Sequence, residues 1–191
     1  MTDHDSGDRH GHPRPLDRIV TTALPDVALL CRYREAGAYT DCYAIDVAGP
    51  VSQADYVEAF YTTWVFKLER RLLAWFVSKP STDPQARALA DGQTQAFAAW
   101  HVEDRTGNQL LMCDFQSRTR SWLMSVSLPF DATTVTRLHF GSAVVPATDP
   151  RSGRKAMGFV FRALLGFHKV YSRILLRAAV SRLRRAREAG A

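Results

Sequence analysis

The chain has 191 residues, 46% of them hydrophobic, and a formal net charge of +6. That size and composition fill one core, and no Pro/Gly/Ser-rich linker divides the chain into two domains. No apolar run reaches the ~18 residues of a membrane span. Cys31, Cys42 and Cys113 match no zinc or redox spacing and follow no signal peptide, which excludes a disulfide framework and points to a reducing cytoplasm.

Residues Met1 to about Leu16 (MTDHDSGDRHGHPRPL) lack an apolar period and read as disordered. The expected organisation is a tail over 1–23 and a single domain over 24–191. His4, His10 and His12 are ligand types without a scaffold to set their geometry, so neither a metal site nor a cofactor is expected. Arg18 to Arg34 is mixed: Val27, Leu29, Leu30 and Cys31 are apolar, Pro25 suits a first helical turn, and Gly37 suits a stop. Tyr39 to Val47 alternates as a strand, with Asp41 the one charged residue on the face of Tyr39, Tyr43, Ile45 and Val47. Gly49–Pro50 turns the chain, and Ser52 with Asp55 has the spacing of a capping box. Val57, Phe60, Tyr61, Trp64, Val65, Leu68, Leu72, Trp75 and Phe76 then recur at helical spacing, a pattern expected to be core. Pro80 ends that run. Asp83 is the expected N-cap of a short helix with Pro84 as its first residue, and Gly92 is its stop.

From Thr94 to Ala147 the period becomes two. The expected first strand has Ala96, Ala98, Trp100 and Val102 on one face, and Thr106–Gly107–Asn108 is a turn. Leu111, Cys113 and Phe115 mark one face of the second strand. Arg120, Trp122, Met124, Val126 and Leu128 mark one face of the third, and Leu138, Phe140 and Val144 one face of the fourth. Segments paired in sequence form an antiparallel meander. The last long segment, about Met157 to Arg187, reads as a helix. Arg162, Lys169, Arg173, Arg177 and Arg184 fall on one stripe; Val160, Leu164, Phe167, Tyr171, Ile174, Leu175 and Ala178 fall on the other side. From Arg151 onward there are eleven Lys/Arg and one acidic residue, Glu188. The stripe is read as a solvated face, or as a weak contact for an anionic membrane surface. Nucleic acid is not an expected partner, because no reading motif or interleaved exposed aromatic set accompanies the charge.

The element order, together with AFAAWHVEDRTGNQLLMCDFQSRTRSWLMSV, TRLHFGSAVV and FRALLGFHKVYSRILLRA, resembles the START-like helix-grip superfamily, and within it an uncharacterised bacterial branch. The likeness runs from about Tyr39 to Arg185. It implies an α+β helix-grip fold, with a curved antiparallel sheet wrapped against a long C-terminal helix and a hydrophobic pocket between them. It brings no universal catalytic set.

In that architecture the expected pocket lining is Tyr43, Trp100, Phe115, Trp122, Met124, Phe140, Phe167 and Tyr171, with Arg120 and His168 as polar contacts to a small hydrophobic molecule. An enzyme of cyclase, hydrolase or isomerase type is the rival, with Asp41, Arg120 and His168 as acid–base or electrostatic groups. A third reading is an interaction module whose core is filled by its own side chains. Arg120 and Asp41, each set among apolar neighbours, are expected to pair with each other unless Arg120 meets a ligand. His139 and Asp114 fall opposite the apolar sets and are expected to face solvent; of Arg118 and Arg120, only one can face inward.

Overall fold

Period-two alternation produces seven strands: β1 Val20–Thr21, β2 Tyr39–Ala48, β3 Ala96–Phe97, β4 Trp100–Thr106, β5 Gln109–Asp114, β6 Thr119–Phe130 and β7 Thr133–Val144. Four helices accompany them: α1 Cys31–Glu35, α2 Gln53–Tyr61, α3 Asp83–Ala90 and α4 Phe159–Gly190. This computed structural model describes residues 16–66, 82–130, 133–145 and 159–190, without the side chains of 130, 133 and 159–169. The strands form one open antiparallel sheet in the order β1-β2-β7-β6-β5-β4-β3. Short turns make neighbours of successive strands from β3 to β7, and β7 then returns beside β2, from Tyr39↔Val144 to Ala48↔Val135.

Two local expectations are corrected. The expected strand from Ala96 to Val102 is broken at Ala98, whose φ of 52° folds Phe97 back onto Trp100 as a separate hairpin. Val20–Thr21, placed in the tail by composition, pairs with Tyr43–Ala44 as an edge strand.

Capping fixes where the helices begin. The Ser52 hydroxyl oxygen accepts from the Asp55 N–H at 3.0 Å and starts α2 as expected. The cap of α3 is Thr82, one residue before the expected Asp83. Thr82 with Gln85 three residues on completes a reciprocal box, each side chain accepting from the other's backbone N–H, which Asp83 with Ala86 cannot do. The far end of α3 is held by Arg105, which donates to the carbonyls of Leu89 and Ala90 at 2.7 and 3.3 Å.

The sheet buries both faces. On one, Tyr43, Ile45, Leu110, Met112, Leu123, Leu138 and Phe140 pack with Val57, Phe60 and Tyr61 of α2, Leu89 of α3, and Leu175, Leu176, Ala179, Val180 and Leu183 of α4. Each such side chain taken fully from water contributes about 1.5–3 kcal/mol before ordering costs. On the other face, Cys42, Leu111, Trp122, Met124 and Ala143 pack under Leu24, Ala28, Leu30 and Cys31 of the N-terminal segment. Gly141 makes that second layer possible. A Cβ there would sit 2.9 Å from both the Asp41 carbonyl oxygen and Trp122 Cε3, and 3.1 Å from Leu30 Cδ2.

The buried stripe of α4 differs from the expected one. Leu175–Leu176, Ala179–Val180 and Leu183 repeat at three and four residues and face the core, while Ile174 points away and is 43% exposed. Val160, Arg162, Leu164, Phe167, His168 and Lys169 lie outside the described side chains, as do Leu68, Leu72, Trp75 and Phe76 of the expected helical stripe and His4, His10 and His12 of the tail. Trp64, expected in the core, is 68% exposed. Among the described residues, no helix is long and apolar enough to cross a membrane.

Candidate functional site

Register divides the expected pocket residues between the two faces. Tyr43 and Phe140 are directly paired and buried on the helix-bearing face, where Trp100 and half-buried Tyr171 also pack. Trp122 and Met124 are buried on the opposite face under the N-terminal segment. Phe115 lies past the end of β5 and is 48% exposed. Phe167 and His168 lie outside the described side chains. These residues therefore do not line one cavity. The alternation within β6 is as expected, but Leu123, not Trp122, is paired with Phe140. A shift of one residue in register moves a whole strand's set to the other face, and each strand's own alternation does not reveal which register is used.

The expected pair of Arg120 with Asp41 does not form. Arg120 lies on the face of Trp122 and donates through Nε to Glu103 Oε2 at 2.6 Å and to the Tyr33 hydroxyl at 2.8 Å. Its Nη1 reaches the Ser117 carbonyl at 2.8 Å, and the guanidinium lies 4.7 Å from the Tyr33 ring centroid. The Tyr33 hydroxyl also bonds Glu103, and Arg32 pairs with Asp104 nearby. Burial works against the charged guanidinium, yet the Tyr33 hydroxyl and the Glu103 carboxylate hold its pKa above the ordinary arginine value. Arg120 thus fastens the N-terminal segment to the sheet. Gln109 does the same one strand pair along: its Oε1 accepts from Trp122 Nε1 and the Leu29 N–H, and its Nε2 donates to the Val27 carbonyl.

The same face holds an ion pair that sequence reading passed over. Asp46 and Arg137 sit opposite each other in register and pair bidentately at 2.7 and 2.8 Å, both buried. His139, expected at the solvent, is buried beside Trp122 with ring centroids 6.0 Å apart. The face opposite the Leu138 and Phe140 set is covered by a second apolar layer and not by water, which is why His139 is buried. Asp114, half-buried, accepts from the Arg118 and Thr119 N–H groups and shapes the β5–β6 turn. Arg118 is exposed.

What remains on the helix-bearing face is a polar row crossing three strands. Asp41 Oδ1 accepts from the Ser142 hydroxyl at 2.6 Å and the Ser142 N–H at 3.1 Å. Ser142 is paired in register with Ser121 on β6, and the Tyr43 hydroxyl donates to Asp41 Oδ2 at 3.4 Å. Arg173 of α4 lies over the Tyr43 ring at 5.6 Å. Burial and the adjacent Asp41 carboxylate push the Tyr43 hydroxyl well above the usual tyrosine pKa and raise Tyr39 in the same way. The row is thus a set of neutral hydroxyls around one carboxylate, suited to orient a ligand's polar end by hydrogen bonds. The signal for Ser142 was its place two residues after Phe140; Gly141, needed for the other face, obscured the alternation.

The trio Asp41, Arg120 and His168 is not assembled, since Arg120 lies across the sheet from Asp41. Among the described residues, no group of three or more His, Cys, Asp or Glu side chains is arranged to hold a metal ion. A groove of about 620 Å³ runs between α2 and the end of α4, with Trp64, Glu58, Arg182 and Leu183 on its walls. Another, of about 720 Å³, lies between residues 16–19 and the exposed side of α4. These features define an α+β domain whose sheet carries helices on one face and its own N-terminal segment on the other. Comparison with protein-family models, with curated proteins and with solved structures finds no match.

Proposed function

We propose that the chain is a START-like, helix-grip binding domain that holds a small, mostly apolar molecule against the helix-bearing face of its sheet. Asp41, Ser142, Ser121 and the Tyr43 hydroxyl orient the polar end of that molecule. Support for the fold assignment comes from the element order: a strand, then helices, then a meander whose last strand returns beside the first, then a long helix over the same face. The observation that carries the ligand reading is the polar row itself, set among Tyr43, Met112, Leu123 and Phe140 on a face otherwise given to apolar packing.

Native mass spectrometry of the protein purified without denaturation is the test. The expected result is a retained small molecule that is lost in Ser142→Val and in Asp41→Asn, with both variants keeping the parent's circular dichroism. A wild-type protein that carries nothing, and gains no thermal stability from a panel of fatty acids and aromatic polyketides, overturns the reading. That outcome favours an interaction module instead, a reading supported by the aromatic fill of Phe60 against Phe140 at 4.9 Å and Tyr61 against Phe66 at 4.9 Å.

A further inference from the structure

The groove beside the exposed side of α4 combines two kinds of surface. Leu16, Val170 and Ile174 are large aliphatic side chains left 49%, 57% and 43% exposed. Around them stand Arg18, Arg173 and Arg177, with Asp17 the one acidic residue of the lining. Asp17 is already neutralised by its ion pair with Arg184. Val170 and Ile174 are four residues apart, as are Arg173 and Arg177, so the helix presents its aliphatic and guanidinium groups side by side along one stripe. Opposite them, the core-facing stripe of Leu175, Leu176, Ala179, Val180 and Leu183 is fully committed to packing.

We infer that this stripe, with residues 16–19 beside it, is a docking surface for an anionic lipid bilayer. A helix lying in the interface plane needs aliphatic groups to enter the headgroup region and long cationic side chains to reach the phosphates above them. Both are present at the right spacing, and the cations are arginines, which keep their charge and bind phosphate with a planar fork. A free phosphate would leave Leu16, Val170 and Ile174 without use. A nucleic acid would need exposed aromatic rings for stacking, and the lining has none. The stripe also differs from the one composition suggests. Arg184 is engaged by Asp17, and Arg173 reaches Thr21 and covers Tyr43, so the cations most available to the bilayer are Arg18 and Arg177.

Co-sedimentation of the full chain with vesicles tests this. The chain is expected to pellet with phosphatidylcholine vesicles containing phosphatidylserine, not with phosphatidylcholine alone, and to be released as salt rises. Arg177→Ala is expected to weaken partitioning about five-fold, the effect of one basic residue near such a surface. Ile174→Asp is expected to abolish binding at any salt concentration. Both positions are exposed, and unchanged melting curves serve as the folding control. Equal pelleting with neutral and anionic vesicles overturns the proposal. So does retention by Ile174→Asp, which would leave only diffuse charge attraction. Competition by inorganic phosphate at constant ionic strength, or tighter binding of duplex DNA at the same salt, overturns it in favour of a phosphate or nucleic-acid site.

Discussion

Removing Arg120 is the sharpest probe of how the N-terminal layer is held. Its guanidinium and the Glu103 carboxylate are 11% and 20% exposed, between a surface pair and a buried one. A surface pair contributes about 0–1 kcal/mol, and breaking a fully buried pair costs about 3–5 kcal/mol. The pair is joined by one short charge-assisted bond at 2.6 Å in this half-buried setting, so the expected coupling between Arg120 and Glu103 is about 1.5–3 kcal/mol. Urea denaturation of Arg120→Ala, Glu103→Ala and the double variant measures it as a cycle. The same cycle with Asp41→Ala is expected to be additive within about 0.5 kcal/mol, because Asp41 lies on the other face and bonds Ser142. Negligible coupling to Glu103, or comparable coupling to Asp41, refutes this account of the face assignment.

Gln109→Ala deprives Trp122 Nε1, the Leu29 N–H and the Val27 carbonyl of a partner at once, and is expected to cost at least about 2 kcal/mol, with faster amide exchange at Leu29. Gly141→Ala puts a methyl group 2.9 Å from a backbone oxygen and from the Trp122 ring; the expected cost is about 1–3 kcal/mol, read as a lower melting temperature, and an unchanged one would mean that Leu30 and Trp122 yield freely. Burial raises the pKa of Tyr56 and of Tyr43 in the fold, so their contribution is complete below the unfolded value of 10.0 and is lost as pH rises above it. Stability is expected to fall above that pH by up to about 1.4 kcal/mol per pH unit for each, with phenolate absorbance from both appearing only as circular dichroism is lost. Phenolate formation by every tyrosine near pH 10.0 in the still-folded chain would contradict it.

Regular elements were legible because period and caps are local. The alternation of Tyr39 to Val47 and the Ser52 cap appear where the sequence puts them. Site geometry was not legible because it depends on register between strands far apart in the chain. Leu110 to Cys113 reads LLMC, an unbroken apolar run, and this signals a strand buried on both faces. Taken that way, it predicts a second layer over Trp122 and a buried His139. Assigning one wet face to every strand instead merged two cores into one imagined pocket. The missing layer was the segment from Leu24 to Tyr33, whose mixed pattern carries no helical or strand period of its own. Its apolar residues are set by the surface they cover.

The arginines of α4 show the same limit from the side of charge. Helical spacing makes Arg173, Arg177 and Arg184 equivalent members of one stripe, but the neighbouring chain gives them different work. Arg184 pairs with Asp17, Arg187 donates to the Ala48 and Pro50 carbonyls, and Arg173 reaches Thr21 Oγ1 while covering Tyr43. These contacts draw the helix onto the β1–β2 edge, where a Cβ added at Gly49 would sit 3.1 Å from Nη1 of Arg187. Arg177, Arg182 and Arg185 have no such contacts among the described residues. A partner therefore meets less positive charge than composition implies. Because Arg177 is the residue of this group that stands beside Ile174 and Val170, it is where charge and aliphatic surface act together.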